Sequence, residues 1–122
     1  MPKTILAVDD SASMRQMIKL TLRSAGYEVI EAGDGQEGLS QARRGTIHMI
    51  LTDLNMPVMD GMMFIRELRK SPAHTGIPIV FVTTESDAEK KSQAKAAGAT
   101  AWITKPFQPE QLVAVAKKVL GE

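Results

Sequence analysis

The chain has 122 residues, of which 43% are hydrophobic and 24% charged, and its formal net charge is +1. That length suits one domain, expected over residues 1–122, and the charge balance argues neither for nor against a polyanion, so neither nucleic acid nor a membrane is expected as a partner. There is no Cys, which excludes disulfides and thiolate metal sites. No apolar run approaches the roughly 20 residues of a membrane span, and Ile5–Val8 is too short for a signal peptide, so a cytoplasmic location is expected.

Taken in chain order, short apolar runs alternate with segments of helical period. Ile5 to Val8 reads as a strand buried on both faces. Ser13 is the expected cap of a first helix whose apolar residues are Met14, Met17, Ile18, Leu22 and Ala25, with Gly26 just past its end. Tyr27 to Ala32 is a second strand, and Asp34-Gly35 opens a second helix ending near Gly45. Ile47 to Thr52 is a third strand that includes His48. A loop over 54–61, held by Pro57, leads to a helix from Met62 to Lys70. His74 falls in a loop before a fourth strand, Ile79 to Val82. A helix from Asp87 to Ala97 follows, stopped by Gly98. Ala101 to Thr104 is a short fifth strand, and Pro109 suits the first turn of a last helix with Leu112, Val115, Ala116 and Val119 inward. Five strand–helix units in a row predict an α/β fold: a parallel sheet with helices on both faces.

The polar residues that stand out fall where strands end. Asp9 and Asp10 follow the first strand and Asp53 the third, Thr83 and Thr84 with Glu85 close the fourth, and Lys105 follows the fifth. Open parallel sheets carry ligand sites outside the carboxyl ends of their strands. Taken singly, an Asp there is commonly a helix cap or turn former, and a Lys before Pro a solvated surface residue. Taken together, three carboxylates and one lysine leave a local charge of −2, which a divalent cation would relieve. Every ligand on offer is oxygen, from Asp9, Asp10, Asp53 and a backbone carbonyl at Asn55, a donor set suited to Mg2+. A carboxylate beside such an ion can attack phosphorus. Lys105 and the Thr83 hydroxyl can then meet two phosphoryl oxygens. The sequence has no glycine-rich phosphate loop, which argues against a nucleotide donor. His48 and His74 are expected far from this edge, so zinc is not.

The segments Val8-Asp9-Asp10-Ser11, Asp53-Leu54-Asn55-Met56-Pro57-Val58-Met59-Asp60-Gly61, Val82-Thr83-Thr84-Glu85 and Lys105-Pro106-Phe107 resemble, in order and spacing, the two-component receiver family, and within it the single-domain chemotaxis regulators of the CheY type. The resemblance implies a flavodoxin-like (βα)5 three-layer sandwich with strand order 2-1-3-4-5, the order for which CheY is itself a standard example. It implies that Asp53 accepts a phosphoryl group from a histidine kinase. Asp10, Asp53 and the Asn55 carbonyl would hold Mg2+, with Asp9 acting mainly through water. Thr83 would turn toward the phosphoryl group, Lys105 would ion-pair with it, and the Lys105–Pro106 bond would be cis. Asn55 and Glu85 resemble the pair that tunes dephosphorylation in rapidly reset chemotaxis regulators. The family's switch aromatic, usually Tyr or Phe, is here Trp102, which could bias the switch or simply pack.

With one domain expected, output is expected through a changed surface on the fourth helix, fifth strand and fifth helix, read by a flagellar motor switch protein or another target, with a phosphatase as a further partner and the chain monomeric. The fourth helix offers only Ala88, Ala94 and Ala97 inward, which suits mobility or simply close packing. Residues 87–122 carry six Lys against four acids, which favours an acidic partner surface. Three other readings stay open: a phosphorelay intermediate, a Mg2+-dependent phosphohydrolase, and a degenerate receiver that only binds. An enzyme in the ordinary sense is not expected, since neither a second turnover acid nor a cap is visible.

Overall fold

The computed structural model describes residues 2–122. Five strands and five helices alternate: β1 (Thr4–Val8), α1 (Ala12–Ser24), β2 (Glu28–Ala32), α2 (Gly35–Arg44), β3 (Met49–Thr52), α3 (Gly61–Arg69), β4 (Ile79–Thr83), α4 (Ala88–Ala96), β5 (Ala101–Thr104) and α5 (Pro109–Leu120). The strands form one parallel sheet in the order β2-β1-β3-β4-β5. The expected α/β flavodoxin-like sandwich is thus the observed one.

Strand periodicity divides the core in two. Leu6, Val8, Ile50, Ile79 and Phe81 point to the face covered by α2, α3 and α4. Ile5, Ala7, Met49, Leu51, Val80, Val82 and Ile103 point to the face covered by α1 and α5. Both faces are dry, which is why the inner strands read as unbroken apolar runs with no polar alternation. β1, β3 and β4 lie in the middle of the sheet, each paired on both sides, and Asp9, Asp53 and Thr83 stand at their ends.

Element ends differ from the sequence reading where a side chain or turn intervenes. The α1 cap is Ser11, whose hydroxyl accepts from the Met14 amide at 3.2 Å. Ser13 lies inside the helix and is exposed, because a cap needs its oxygen two or three residues ahead of the amide it meets. Tyr27 belongs to the turn before β2: its amide donates to the Leu22 carbonyl, while Gly26 takes φ +98°, open to glycine at no steric cost. His48 precedes β3. Its Nδ1 accepts from the Thr4 amide at 2.9 Å, tying the start of β3 to the start of β1. His74 closes a 3-10 turn, Pro72–His74, and is buried with Nε2 against the Ala42 carbonyl at 3.1 Å. Along α4 only Ala94 is buried; Ala97 is half-buried and Ala88 exposed.

Candidate functional site

Register brings the acids together. Val8 of β1 lies opposite Thr52 of β3, so the residues that follow, Asp9 and Asp53, leave neighbouring strands at the same level. The Asp53 amide donates to the Val8 carbonyl at 2.9 Å and the Asp9 amide to the Ala32 carbonyl at 3.1 Å, so both backbones are held up to the last atom. On the other side, Thr83 lies opposite Thr104, and the Lys105 amide donates to the Thr83 carbonyl at 2.8 Å. The Lys105–Pro106 peptide is cis, as the family resemblance implies.

From that position the Lys105 side chain reaches past β4. Its Nζ donates to Asp9 Oδ2 at 2.8 Å and to Asp53 Oδ2 at 3.1 Å. The remaining carboxylate oxygens also have partners: Asp9 Oδ1 accepts from the Ser11 amide at 2.9 Å and Asp53 Oδ1 from the Leu54 amide at 2.7 Å. Burial pulls the lysine pKa down, but its hydrogen bonds to Asp9 and Asp53 and their charges outweigh this and hold it above the usual value. The ammonium is therefore a fixed cation at neutral pH.

Carboxylate oxygens of Asp9, Asp10 and Asp53 all lie within 4.8 Å of one another. At that spacing each pair repels by about 3–4 kcal/mol at an effective dielectric near 20. One lysine answers two of these carboxylates. Asp10 is exposed, and its carboxylate has no hydrogen-bond partner among the described residues. Three hard oxygen donors, one of them unpartnered and facing a net negative charge, fit a small divalent cation such as Mg2+. No imidazole joins the group, since both histidines sit elsewhere.

The loop after Asp53 is closed by backbone bonds. The Gly61 amide donates to the Leu54 carbonyl at 2.8 Å, and Asp60 caps α3 through the Met63 amide at 2.9 Å. A Cβ on Gly61 would collide with the Asp53 carbonyl and sit 2.7 Å from the Phe81 ring, so only glycine lets α3 start this close to the site. Asn55, on this loop, is exposed.

Thr83 and Trp102 are joined through Glu85. The Thr83 hydroxyl is fully buried and accepts from the Glu85 amide at 3.3 Å. The Trp102 indole N–H donates to the Glu85 carbonyl at 3.1 Å, which supplies the partner a half-buried tryptophan needs. Its ring packs on Phe81 with centroids 5.4 Å apart and lies under Lys91 Nζ at 5.8 Å.

The structure adds one residue that no motif signals. Arg15, on the first turn of α1, donates to the Asp9 carbonyl at 2.5 Å and to Glu31 Oε1 at 3.3 Å, while Lys19 pairs with Glu31 at 3.3 Å. It thereby holds the carbonyl of the Asp9–Asp10 peptide, next to the acid that lacks a side-chain partner. Only its place four residues after the Ser11 cap, aimed back toward the strand end, could have suggested this.

An all-parallel five-stranded α/β sandwich with an acid pair, a third aspartate and a lysine converging at its strand ends defines a receiver domain of two-component signalling. The response regulator receiver domain family matches residues 5–117, and the chain belongs to it. The chemotaxis protein CheY1 of Helicobacter pylori is 38% identical over 119 residues, covering 96% of each chain. Among solved structures, the chemotaxis response regulator CheY4 of Vibrio cholerae is 46% identical with a TM-score of 0.94, over 98% of this chain and 100% of that one. The receiver domain of the sensor histidine kinase PA1611 from Pseudomonas aeruginosa, described with a magnesium ion coordinated in its active-site cleft, is 29% identical with a TM-score of 0.91 over both full chains. The chain spans about half the length of other curated relatives it matches, which are transcriptional regulators.

Proposed function

We propose that the chain is a stand-alone response regulator over residues 1–122 in which Asp53 accepts a phosphoryl group from a CheA-like histidine kinase, and that the phosphorylated form signals in chemotaxis to the flagellar motor switch. The single observation that carries the reading is the convergence of Asp9, Asp10 and Asp53 oxygens within 4.8 Å, bridged by Lys105 at 2.8 and 3.1 Å. A cytoplasmic setting is in keeping with the absence, among the described residues, of any helix long and apolar enough to cross a membrane.

In this reading Asp53 Oδ forms the new bond to phosphorus as the bond to the donor atom breaks and its electron pair leaves with the donor. Asp10, Asp53 and the Asn55 carbonyl would hold Mg2+, with Asp9 beside them through water. When bound, the ion neutralises charge on the phosphoryl oxygens. Lys105, free to leave one carboxylate for a phosphoryl oxygen, stabilises the same charge from the protein side. The Thr83 hydroxyl exchanges the long bond from the Glu85 amide for a phosphoryl oxygen. Because Trp102 is tied to the Glu85 carbonyl, that exchange reaches the α4-β5-α5 face, where a target would dock. Asn55 and Glu85, two residues after Asp53 and Thr83, flank the route of an attacking water and tune the lifetime of the phosphoryl group, with or without a phosphatase.

The test is labelling by a small acyl phosphate with Mg2+. One phosphoryl group on the unaltered chain and none on Asp53→Asn is expected. A label that survives in Asp53→Asn rejects the assignment. A phosphoryl lifetime of hours, instead of seconds to minutes, points to a phosphorelay carrier and against motor signalling.

A further inference from the structure

Beside the acceptor loop lies a groove of about 240 Å3 between α3 and α4, lined by Leu54, Asn55, Asp60, Met63, Arg66 and Lys90 among others. It begins where the acceptor backbone ends. Leu54 follows Asp53 and donates its amide to Asp53 Oδ1 at 2.7 Å, and Asn55 is the next residue.

The charge in this groove is unbalanced. Arg66 comes from α3 and Lys90 from the first turn of α4, both exposed, and neither forms a salt bridge among the described residues. Asp60 is the only acid lining the groove, and one of its oxygens is already used by the Met63 amide. Two unpaired cations, on different helices that converge beside the acceptor loop, make a subsite for an anion.

We propose that this groove binds a carboxylate carried on the leaving group of a small phosphodonor, so that the chain prefers acyl phosphates bearing a second negative charge. The inference rests on Asp53 being the acceptor. The transfer balances without a proton: the Asp53 Oδ–P bond forms, the P–O bond to the acyl group breaks, and the acyl group departs as a carboxylate with the electron pair. Arg66 and Lys90 hold its distal carboxylate during this step and do not touch the reacting atoms.

The probes are benzoyl phosphate and 4-carboxybenzoyl phosphate, rigid donors that differ only by the distal carboxylate and cannot cyclise. Asp53 labelling is followed with Mg2+ at fixed ionic strength. The expected result is a KM about fivefold lower for the carboxylated donor, the scale of one or two exposed ion pairs. The preference should vanish in Arg66→Ala/Lys90→Ala, with the benzoyl phosphate rate unchanged. It should persist in Lys117→Ala/Lys118→Ala, which removes the same charge from α5. Equal KM values in the unaltered chain, or a preference that survives in the Arg66/Lys90 variant or is lost equally in the Lys117/Lys118 variant, overturn the subsite and leave the acceptor assignment standing. If neither donor labels Asp53, the acceptor assignment fails and the subsite falls with it.

Discussion

Helices α3 and α4 cover neighbouring strands on the same face of the sheet, yet they are attached differently. Met62, Phe64, Ile65 and Leu68 of α3 are buried, and the helix begins against the Asp53 backbone through Gly61. Of α4 only Ala94 is buried, and its polar surface faces out on nearly every side. A buried Phe or Leu side chain contributes about 1.5–3 kcal/mol of transfer free energy and an alanine methyl far less. One helix is therefore part of the rigid frame of the site, and the other is held mainly by its caps and by contacts such as Lys91 on Trp102. The acceptor pocket is built against the deeply packed helix and the proposed output against the shallowly packed one, so a change at Thr83 is expected to displace α4 more readily than Asp53.

The strongest way to test that divide is to remove packing on each side of it. Phe64→Ala, which empties a fully buried site on α3, should lower unfolding free energy by about 3–5 kcal/mol in urea. Ala94→Gly should cost about 1 kcal/mol and raise amide exchange in α4 alone. Similar losses from both changes would mean that α4 is as firmly integrated as α3.

Electrostatic strain within the pocket comes next. Asp10→Asn removes the carboxylate that Lys105 does not reach, and in EDTA it should raise stability by about 1 kcal/mol or more, since each neighbouring pair of acids repels. At the proposed Mg2+ site the unaltered chain should gain stability when Mg2+ is added, and the same variant should lose most of that gain. A lower melting temperature in EDTA would show that Asp10 is held by a favourable interaction.

Arg15→Ala tests whether the frame extends behind the acids. Freed from Arg15, the Asp9–Asp10 peptide should position Asp10 less well and weaken Mg2+ binding by about tenfold, as losing a residue that orients a metal ligand commonly does. Calorimetric titration measures this directly, and Arg15→Lys should recover part of the loss. Unchanged affinity in the alanine variant would reduce Arg15 to a packing residue.

The smallest effect lies at the far end of the sheet. Tyr27 has its pKa raised from 10.0 to about 12, first by burial and then by its hydrogen bond and charge interaction with Glu122, whose carboxylate accepts at 2.6 Å. Because the folded state keeps this proton longer than the unfolded chain, the contribution is fully present below pH 10 and is lost as pH rises toward about 12. Urea midpoints should fall across that window, and Tyr27→Phe should flatten the fall.

Most of the fold is legible in the sequence, and for a local reason. Apolar runs such as Ile5–Val8 and Ile79–Val82 are short enough to read as strands covered on both faces, and alternation with helical period leaves few arrangements other than a parallel sheet. Element ends were less legible. The cap of α1 is expected at Ser13, yet the hydroxyl that meets the Met14 amide is that of Ser11, two residues earlier. His74 looks like a loop residue until the Ala42 carbonyl of α2 is placed against it.

For the site, the residues that end the strands are readable along the chain, because a run of apolar residues closed by Asp9-Asp10, Asp53, Thr83 or Lys105 marks its own boundary. What these residues face depends on how the strands and helices assemble. Strand register set Asp9 beside Asp53, and the reach of Lys105 left Asp10 without a cation. Contacts between residues far apart in the chain tied Trp102 to Glu85 and brought Arg66 and Lys90 to one groove. Periodicity is a property of neighbours along the chain, whereas charge balance at a site depends on distances in space.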